Sequence, residues 1–401
     1  MVRQRDEIAA GIDPVLCDLR RCDNGLELSW TDGHRSFFHA LWLRDCCYCE
    51  ECGDTLSSKR FFVPSDIPDD LCIARAEIDA DGNLSVSWMP GEHASSYTSD
   101  WLRRHCYDDA SRAARFQQPV LWRSELAGSI PTVDFSAARD DDEQRMSLYR
   151  KLRDYGMVRV TGGAAEAGAV EGVARLIGDL AESAYTPIFD LSPSSKVNTM
   201  GNTFKEVPPH TDEAFRYAPP GINILGCVRP AASGGESILV DGFAIAEDLR
   251  QHEPQAFEML CRYGQTFNRV HAGELDQRAR LRMIALDDRG EVIGIRVHTR
   301  AAGPLDLPSD VVVPYYRAHQ AFCERMMSPE FQLRFQLDAG DSVMFDNHRV
   351  LHARAEFSDP RRFLQICNVS RETFHERLRL LAAELGCRDE ADRVMTAGVA
   401  Y

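Results

Sequence analysis

Pro208-Pro209-His210-Thr211-Asp212-Glu213 and, far downstream, Asn347-His348-Arg349-Val350-Leu351-His352-Ala353-Arg354 decide how this chain is read. Together they offer a His-x-Asp pair and a distant second His. Two neutral imidazoles and one carboxylate can hold Fe(II) on one octahedral face, leaving three adjacent positions for a chelating co-substrate and O2. A lone His-x-Asp says little in a chain with 12 histidines, where its ordinary reading is a solvated loop. The surroundings change that reading.

Outward from Asp212, Pro219-Pro220-Gly221 leads into the apolar run Ile222-Asn223-Ile224-Leu225-Gly226-Cys227-Val228. Ser233-Gly234-Gly235-Glu236-Ser237 then leads into Ile238-Leu239-Val240-Asp241-Gly242-Phe243. This is strand, glycine turn, strand. The second His also follows a turn, Asp338-Ala339-Gly340-Asp341, and an apolar run, Ser342-Val343-Met344-Phe345. Arg361 and Arg362 precede the strand Phe363-Leu364-Gln365-Ile366-Cys367. An arginine projecting there can pair bidentately with a carboxylate and so anchor a 2-oxo acid whose other end chelates iron.

With Trp42-Leu43-Arg44-Asp45 ahead of a Cys cluster, His210-Thr211-Asp212, Gly234-Gly235-Glu236-Ser237, Val240-Asp241-Gly242-Phe243 and Phe345-Asp346-Asn347, the chain resembles the gamma-butyrobetaine and trimethyllysine hydroxylase family. These are iron(II)/2-oxoglutarate dioxygenases of the taurine-dioxygenase-like superfamily. The resemblance runs from about Leu26 to about Leu381. It implies iron ligands at His210, Asp212 and His352, and 2-oxoglutarate held by Arg362 and Ser237, with Arg361 as rival for the arginine role. It also implies a homodimer.

Composition frames the rest. A chain of 401 residues suggests two domains, and 44% hydrophobic residues supply ample core. No secretory h-region and no membrane-length apolar run is visible, so a cytoplasmic protein without a membrane partner is expected. A net charge of -16 opposes nucleic-acid binding. The expected partner is a small molecule.

The 13 cysteines point to reduced thiols with one metal site. Four fall in Cys46-Cys47-Tyr48-Cys49-Glu50-Glu51-Cys52. Three thiolates and one distant imidazole would close a tetrahedral, structural zinc site. The resemblance assigns Cys47, Cys49, Cys52 and His93. Spacing alone leaves Cys46 open as first ligand, and His105 or Cys106 as fourth.

The expected architecture is mainly β with flanking helices. A small β-rich zinc domain spans 1–126, with alternation at Leu26–Trp30 and at Ile73–Ile78 with Leu84–Trp88 around the turn Asp79–Asn83. A linker runs from Arg123 to Pro131. A jelly-roll (double-stranded β-helix) dioxygenase domain follows over 127–401. Helices are expected at about Asp140–Tyr155 with Gly156 as cap, Ala169–Glu182, Phe243–Cys261, Pro314–Met327 and Glu372–Leu385.

The activity implied is hydroxylation of a C–H bond with Fe(II), 2-oxoglutarate and O2, releasing succinate and CO2. Desaturation or cleavage by the same chemistry stays open. Tyr185 and Phe189 match two positions of the aromatic cage that binds trimethylammonium groups in the family. Asn202 and Asn368 stand where the other two would be aromatic, and His298 with Asn198 or Thr199 stands at the carboxylate-orienting positions. The expected substrate is therefore a polar or zwitterionic molecule rather than gamma-butyrobetaine or trimethyllysine. Competing readings are a silent binding protein of the same fold, a butyrobetaine-type hydroxylase with an altered cage, and a zinc hydrolase using the same triad.

Overall fold

The computed structural model describes residues 14–54, 56–184, 186–193 and 200–395. The chain divides into two compact units, Met1–Phe116 and Gln117–Tyr401. This break precedes the expected one at 126/127, because the segment taken for a linker is packed. Trp122 and Leu126 are buried among Met157, Leu239 and Leu333, and the Trp122 indole donates to the Tyr155 carbonyl at 2.7 Å.

The N-terminal unit holds two three-stranded antiparallel sheets, Leu16–Cys22/Gly25–Trp30/Arg35–His39 and Cys72–Ile78/Leu84–Met89/Ala94–Tyr97. The first adds two strands to the expected alternation at Leu26–Trp30, and the second adds one to the expected hairpin. Leu84, Val86 and Trp88 alternate inward from exposed Ser85, Ser87 and Met89. They join Leu26, Leu28, Trp30 and Phe38 in one core.

In the larger unit a six-stranded sheet runs in the order Phe189–Leu191, Phe363–Val369, Ile222–Arg229, Ser342–Asp346, Met157–Thr161, Thr132–Asp134. A four-stranded sheet runs Val207–His210, Val350–Arg354, Ser237–Asp241, Gln332–Phe335. All pairings are antiparallel except that of the edge strand Thr132–Asp134. Cys227, Leu239, Leu333, Val343, Phe345, Val350 and Leu364 fill one core from both sheets, the packing a jelly roll requires. Strands buried on both sides, such as Ser237–Asp241, read as continuous apolar runs for this reason.

Helices cover the outer faces. Asp142–Tyr155 starts with Asp141 accepting from the Gln144 amide and ends at Gly156 with φ 69°. The helix expected over 169–182 stops at Ala174, and Gly178 packs where a Cβ would lie 2.4 Å from Thr373. The helix expected over 243–261 is two, Gly242–His252 and Pro254–Arg262, because Pro254 starts a new helix and Glu253 before it leaves the helical region. Ser309–Met327 and Arg371–Glu384 complete the shell.

Two motifs lock together beneath the site. Arg349 donates from Nε to Asp241 Oδ1 at 3.0 Å and from a terminal nitrogen to Oδ2 at 2.8 Å, with both side chains almost fully buried. Arg349 also donates to the carbonyls of Asp154 and Val120. Gly242 closes the contact, since a Cβ there would lie 2.7 Å from the Arg349 carbonyl. Arg349→Met should therefore destabilise the unit by about 3–5 kcal/mol, because it strands a buried carboxylate. Adding Asp241→Leu should recover part of the loss; urea midpoints of the single and double variants check this.

Candidate active site

The two histidines come together because their strands pair. His210 ends Val207–His210 and sits directly opposite His352 on Val350–Arg354, with ring centroids 4.3 Å apart. The chain then turns and presents Asp212 to both rings: His210 Nε2 lies 3.5 Å from Oδ1 and His352 Nε2 lies 3.6 Å from Oδ2. His210 donates from Nδ1 to the Pro208 carbonyl at 2.9 Å, which leaves the Nε2 lone pair facing inward. Two imidazole nitrogens and a carboxylate facing one point are the donor set that suits a non-haem Fe(II), so the residues fit the ion.

The loop carrying these ligands is anchored from several sides. The Thr211 amide donates to the Val297 carbonyl at 2.7 Å, and the Val297 amide donates back to the Thr211 hydroxyl. Asn347 clamps Asp212, accepting from its amide at 2.7 Å and donating to its carbonyl at 3.1 Å. Asn223 donates to Asp212 Oδ2 at 2.9 Å and fixes the carboxylate plane. Below, the buried Arg296 guanidinium donates to the carbonyls of Ala214, Arg216 and Tyr217. Glu213 takes φ 49° and accepts from the Ala184 amide and from Arg216.

Electrostatics leave the ligands in the binding form. Burial pushes His352 down to about 4, so the ring is neutral at pH 7. Burial opposes the Asp212 charge, but the facing His352 and His210 outweigh it and hold the carboxyl well below its ordinary value. The Asp212 carboxylate and the neutral His352 ring need to lose no proton when a metal arrives.

Arg362 is buried on the wall of the same cavity, over the Phe357 ring at 4.9 Å. Burial lowers it to about 10, still charged at pH 7, and its guanidinium has no carboxylate partner among the described residues. Ser237, also buried, lines the cavity beside it. Gly234 and Gly235 have φ near +70°, and a Cβ on Gly235 would press on the Arg362 Nε at 3.1 Å. Arg361 is the correction: its side chain is 71% exposed and pairs with Asp359, outside the cavity. Arg361 and Arg362 close the turn from Asp359, where the Arg362 amide donates to the Asp359 carbonyl, just ahead of the strand Phe363–Val369, and the turn leaves one arginine outside the cavity and the other in its wall.

The cavity is about 390 Å³ and takes in Phe189, His298 and Asn368. His298 donates from Nδ1 to the Thr211 carbonyl at 3.1 Å, and burial pushes it down to about 3, so it is a neutral wall of the site. Asn368 is buried with Oδ1 unpartnered. Asn202 corrects the expectation: it is absent from the cavity lining, and its Oδ1 accepts from the Ser192 amide instead. Tyr185, Asn198 and Thr199 lie outside the described residues. Asn223, Asn268, Arg269 and Arg354 line the site without having been singled out for it. A buried Asn inside an otherwise apolar strand was the available signal for Asn223.

In the N-terminal unit, His93 Nε2 lies 3.4, 3.7 and 3.5 Å from the sulfurs of Cys47, Cys49 and Cys52. A tetrahedral zinc with ordinary Zn–S and Zn–N bonds sets that edge at about 3.5 Å, so the four fit one ion. Glu51 stands 3.6 Å from His93 Nδ1, as an outer carboxylate would. Cys46 is not in the group. His105 bonds the Trp101 carbonyl and Cys106 the Leu102 carbonyl. Stripping with a strong chelator, or Cys52→Ser, should lower the melting temperature of this unit. Tryptophan fluorescence reads it, because Trp30, Trp42, Trp88 and Trp101 all lie there.

Comparison with known proteins agrees with this geometry. Residues 117–367 match the model of the taurine catabolism dioxygenase TauD, TfdA family, and residues 17–103 match the gamma-butyrobetaine hydroxylase-like N-terminal model. A gamma-butyrobetaine dioxygenase from Pseudomonas sp. (strain AK-1) is 36% identical over 362 residues, 89% of this chain and 94% of the relative. The human gamma-butyrobetaine dioxygenase is 29% identical over 89% of this chain and 94% of its own length. A trimethyllysine dioxygenase from Meyerozyma guilliermondii is 27% identical, with coverage of 89% and 94%. A double-sheet core, a His-x-Asp…His set and a family model spanning most of the larger unit lead to one assignment: the chain belongs to the TauD, TfdA family of Fe(II)- and 2-oxoglutarate-dependent dioxygenases.

Proposed function

We propose that this dioxygenase hydroxylates a C–H bond of a small polar or zwitterionic molecule other than a trimethylammonium compound, with His210, Asp212 and His352 holding the iron. The single observation behind the site assignment is the buried Arg362, in the same cavity as the triad and without a carboxylate partner among the described residues. A buried cation without a partner is costly, and the distal carboxylate of 2-oxoglutarate would neutralise it. Bound Fe(II) and 2-oxoglutarate supply, with O2, the oxidising power for hydroxylation, yielding succinate and CO2. The protein's share is orientation: the clamps on Asp212 fix the ligand plane, and Arg362 with Ser237 sets where the 2-oxo acid lies. Phe189, Leu225 and Ile366 keep water from part of the cavity.

The substrate reading rests on three polar side chains in a lining that is otherwise largely apolar, His298, Asn223 and Asn368, with Phe189 the single described aromatic cage position. The similarity to gamma-butyrobetaine dioxygenases keeps a second reading, a gamma-butyrobetaine hydroxylase with an altered cage. Anaerobic addition of Fe(II) and 2-oxoglutarate should produce a weak visible charge-transfer band that is lost in His210→Ala and Arg362→Ala. Succinate release is then measured across amino and hydroxy acids and gamma-butyrobetaine. No band in the wild-type protein overturns the 2-oxoglutarate site, and fastest turnover with gamma-butyrobetaine overturns the substrate reading.

A further inference from the structure

Charge across the cavity does not balance. Beyond Arg362, three arginines line it: Arg269, Arg300 and Arg354. Arg354 is already committed, donating to the carbonyls of Gly201, Thr203 and Lys205. Arg216 nearby is paired with Glu213. Arg269 and Arg300 have no such assignment. Arg269 projects from the strand Gly264–His271, and its Nε is buried without a hydrogen-bond partner. Arg300 sits in the short turn Thr299–Ala301, within electrostatic reach of both Arg269 and Asp212. The two segments are stitched side by side: Phe267 bridges Ala302, and the Gly303 amide donates to the Thr266 carbonyl at 2.8 Å. Neither guanidinium makes an ion pair among the described residues.

The site itself consumes none of this charge. Under the proposed function, Fe(II) and Asp212 together with Arg362 offset the two carboxylates of 2-oxoglutarate. Two positive charges are left over on one wall. A quaternary ammonium would enter a cavity of its own sign, whereas an oxyanion would meet up to ten N–H donors in two planar forks.

Resting on that reading, we infer that Arg269 and Arg300 form a subsite for an oxyanion headgroup of the substrate, a carboxylate or a tetrahedral oxyanion, and so orient its chain toward the iron. The headgroup docks on the strand-and-turn wall, and the reacting carbon lies between it and the His210–Asp212–His352 face.

The test is calorimetric titration of the full-length protein with butanoate, propylphosphonate and tetramethylammonium. It is run anaerobically with Fe(II) and 2-oxoglutarate, and in parallel on metal-free protein. Both anions should bind and tetramethylammonium should not. Arg269→Gln with Arg300→Gln should weaken anion binding at least about tenfold, the scale of one charge-assisted hydrogen bond, and Arg300→Lys should fall between. The tighter anion identifies the headgroup. Anion affinity unchanged within twofold in the double variant, no anion binding to the wild type, or tighter binding of tetramethylammonium overturns the subsite. The visible band of the Fe(II)–2-oxoglutarate complex separates the two readings. Its absence with Arg-dependent anion binding intact sinks the oxygenase site alone, and its presence with Arg-independent binding sinks the subsite alone.

Discussion

Asp212→Ala should abolish substrate-stimulated succinate release, a fall of more than about 10³-fold, because it removes the single charged donor of the set. Two neutral imidazoles remain, and at that coordination the ion is retained weakly. The fall should come with loss of iron from the purified protein, measured as metal per chain. The variant should still fold, since Asn347 grips the backbone rather than the side chain of residue 212 and Thr211 remains bonded to Val297. Asn223→Ala is the graded comparison. It removes only the donor to Asp212 Oδ2, and an outer partner of this kind is worth about 10- to 100-fold in metal affinity or activity. Equal losses in the two variants would contradict the assignment of Asp212 as ligand and Asn223 as its support.

Arg362→Met should raise the KM for 2-oxoglutarate by about 30- to 4,000-fold, corresponding to the roughly 2–5 kcal/mol typical of truncating one partner of a buried charge pair. The KM for the organic substrate should move far less. A second readout has the opposite sign. Because Arg362 is buried without a carboxylate, its removal should raise the melting temperature of the ligand-free protein. 2-Oxoglutarate with Fe(II) should then stabilise the wild type and not the variant. An unchanged KM for 2-oxoglutarate, or a variant that is less stable when ligand-free, would remove Arg362 from this role.

Much of the fold was legible because its signals are local. Glycine turns such as Gly234-Gly235, the acidic start and Gly156 end of the Asp142–Tyr155 helix, and the alternation of Leu84–Met89 each depend on neighbours in sequence. The groupings His210–Asp212–His352 and Cys47–Cys49–Cys52–His93 were legible because few residue types suit metal chemistry, and the structure brings each group together. What escaped depends on pairing across the chain. The Asn347 clamp joins residues from two distant loops, and Arg349 meets Asp241 only once their strands are side by side. Arg269 lies in a strand whose sequence gives no hint of the cavity it reaches. Asn202 shows the same limit: its position in the chain is near the site, while its Oδ1 accepts from the Ser192 amide. The helix over 243–261 broke at Pro254, a local signal that the apolar periodicity outweighed in the reading.

The anchoring of the His-Thr-Asp loop by Val297, Asn347 and Arg296 has a consequence for metal choice. The protein, not the ion, sets the positions of its donors, so little ordering accompanies capture and other divalent ions meet the same geometry. Affinity among them then follows the general rise from manganese through iron and cobalt toward nickel and copper. Such a rack does not discriminate in favour of iron. On the proposed ligand set, the supply of metals would then decide which ion fills it.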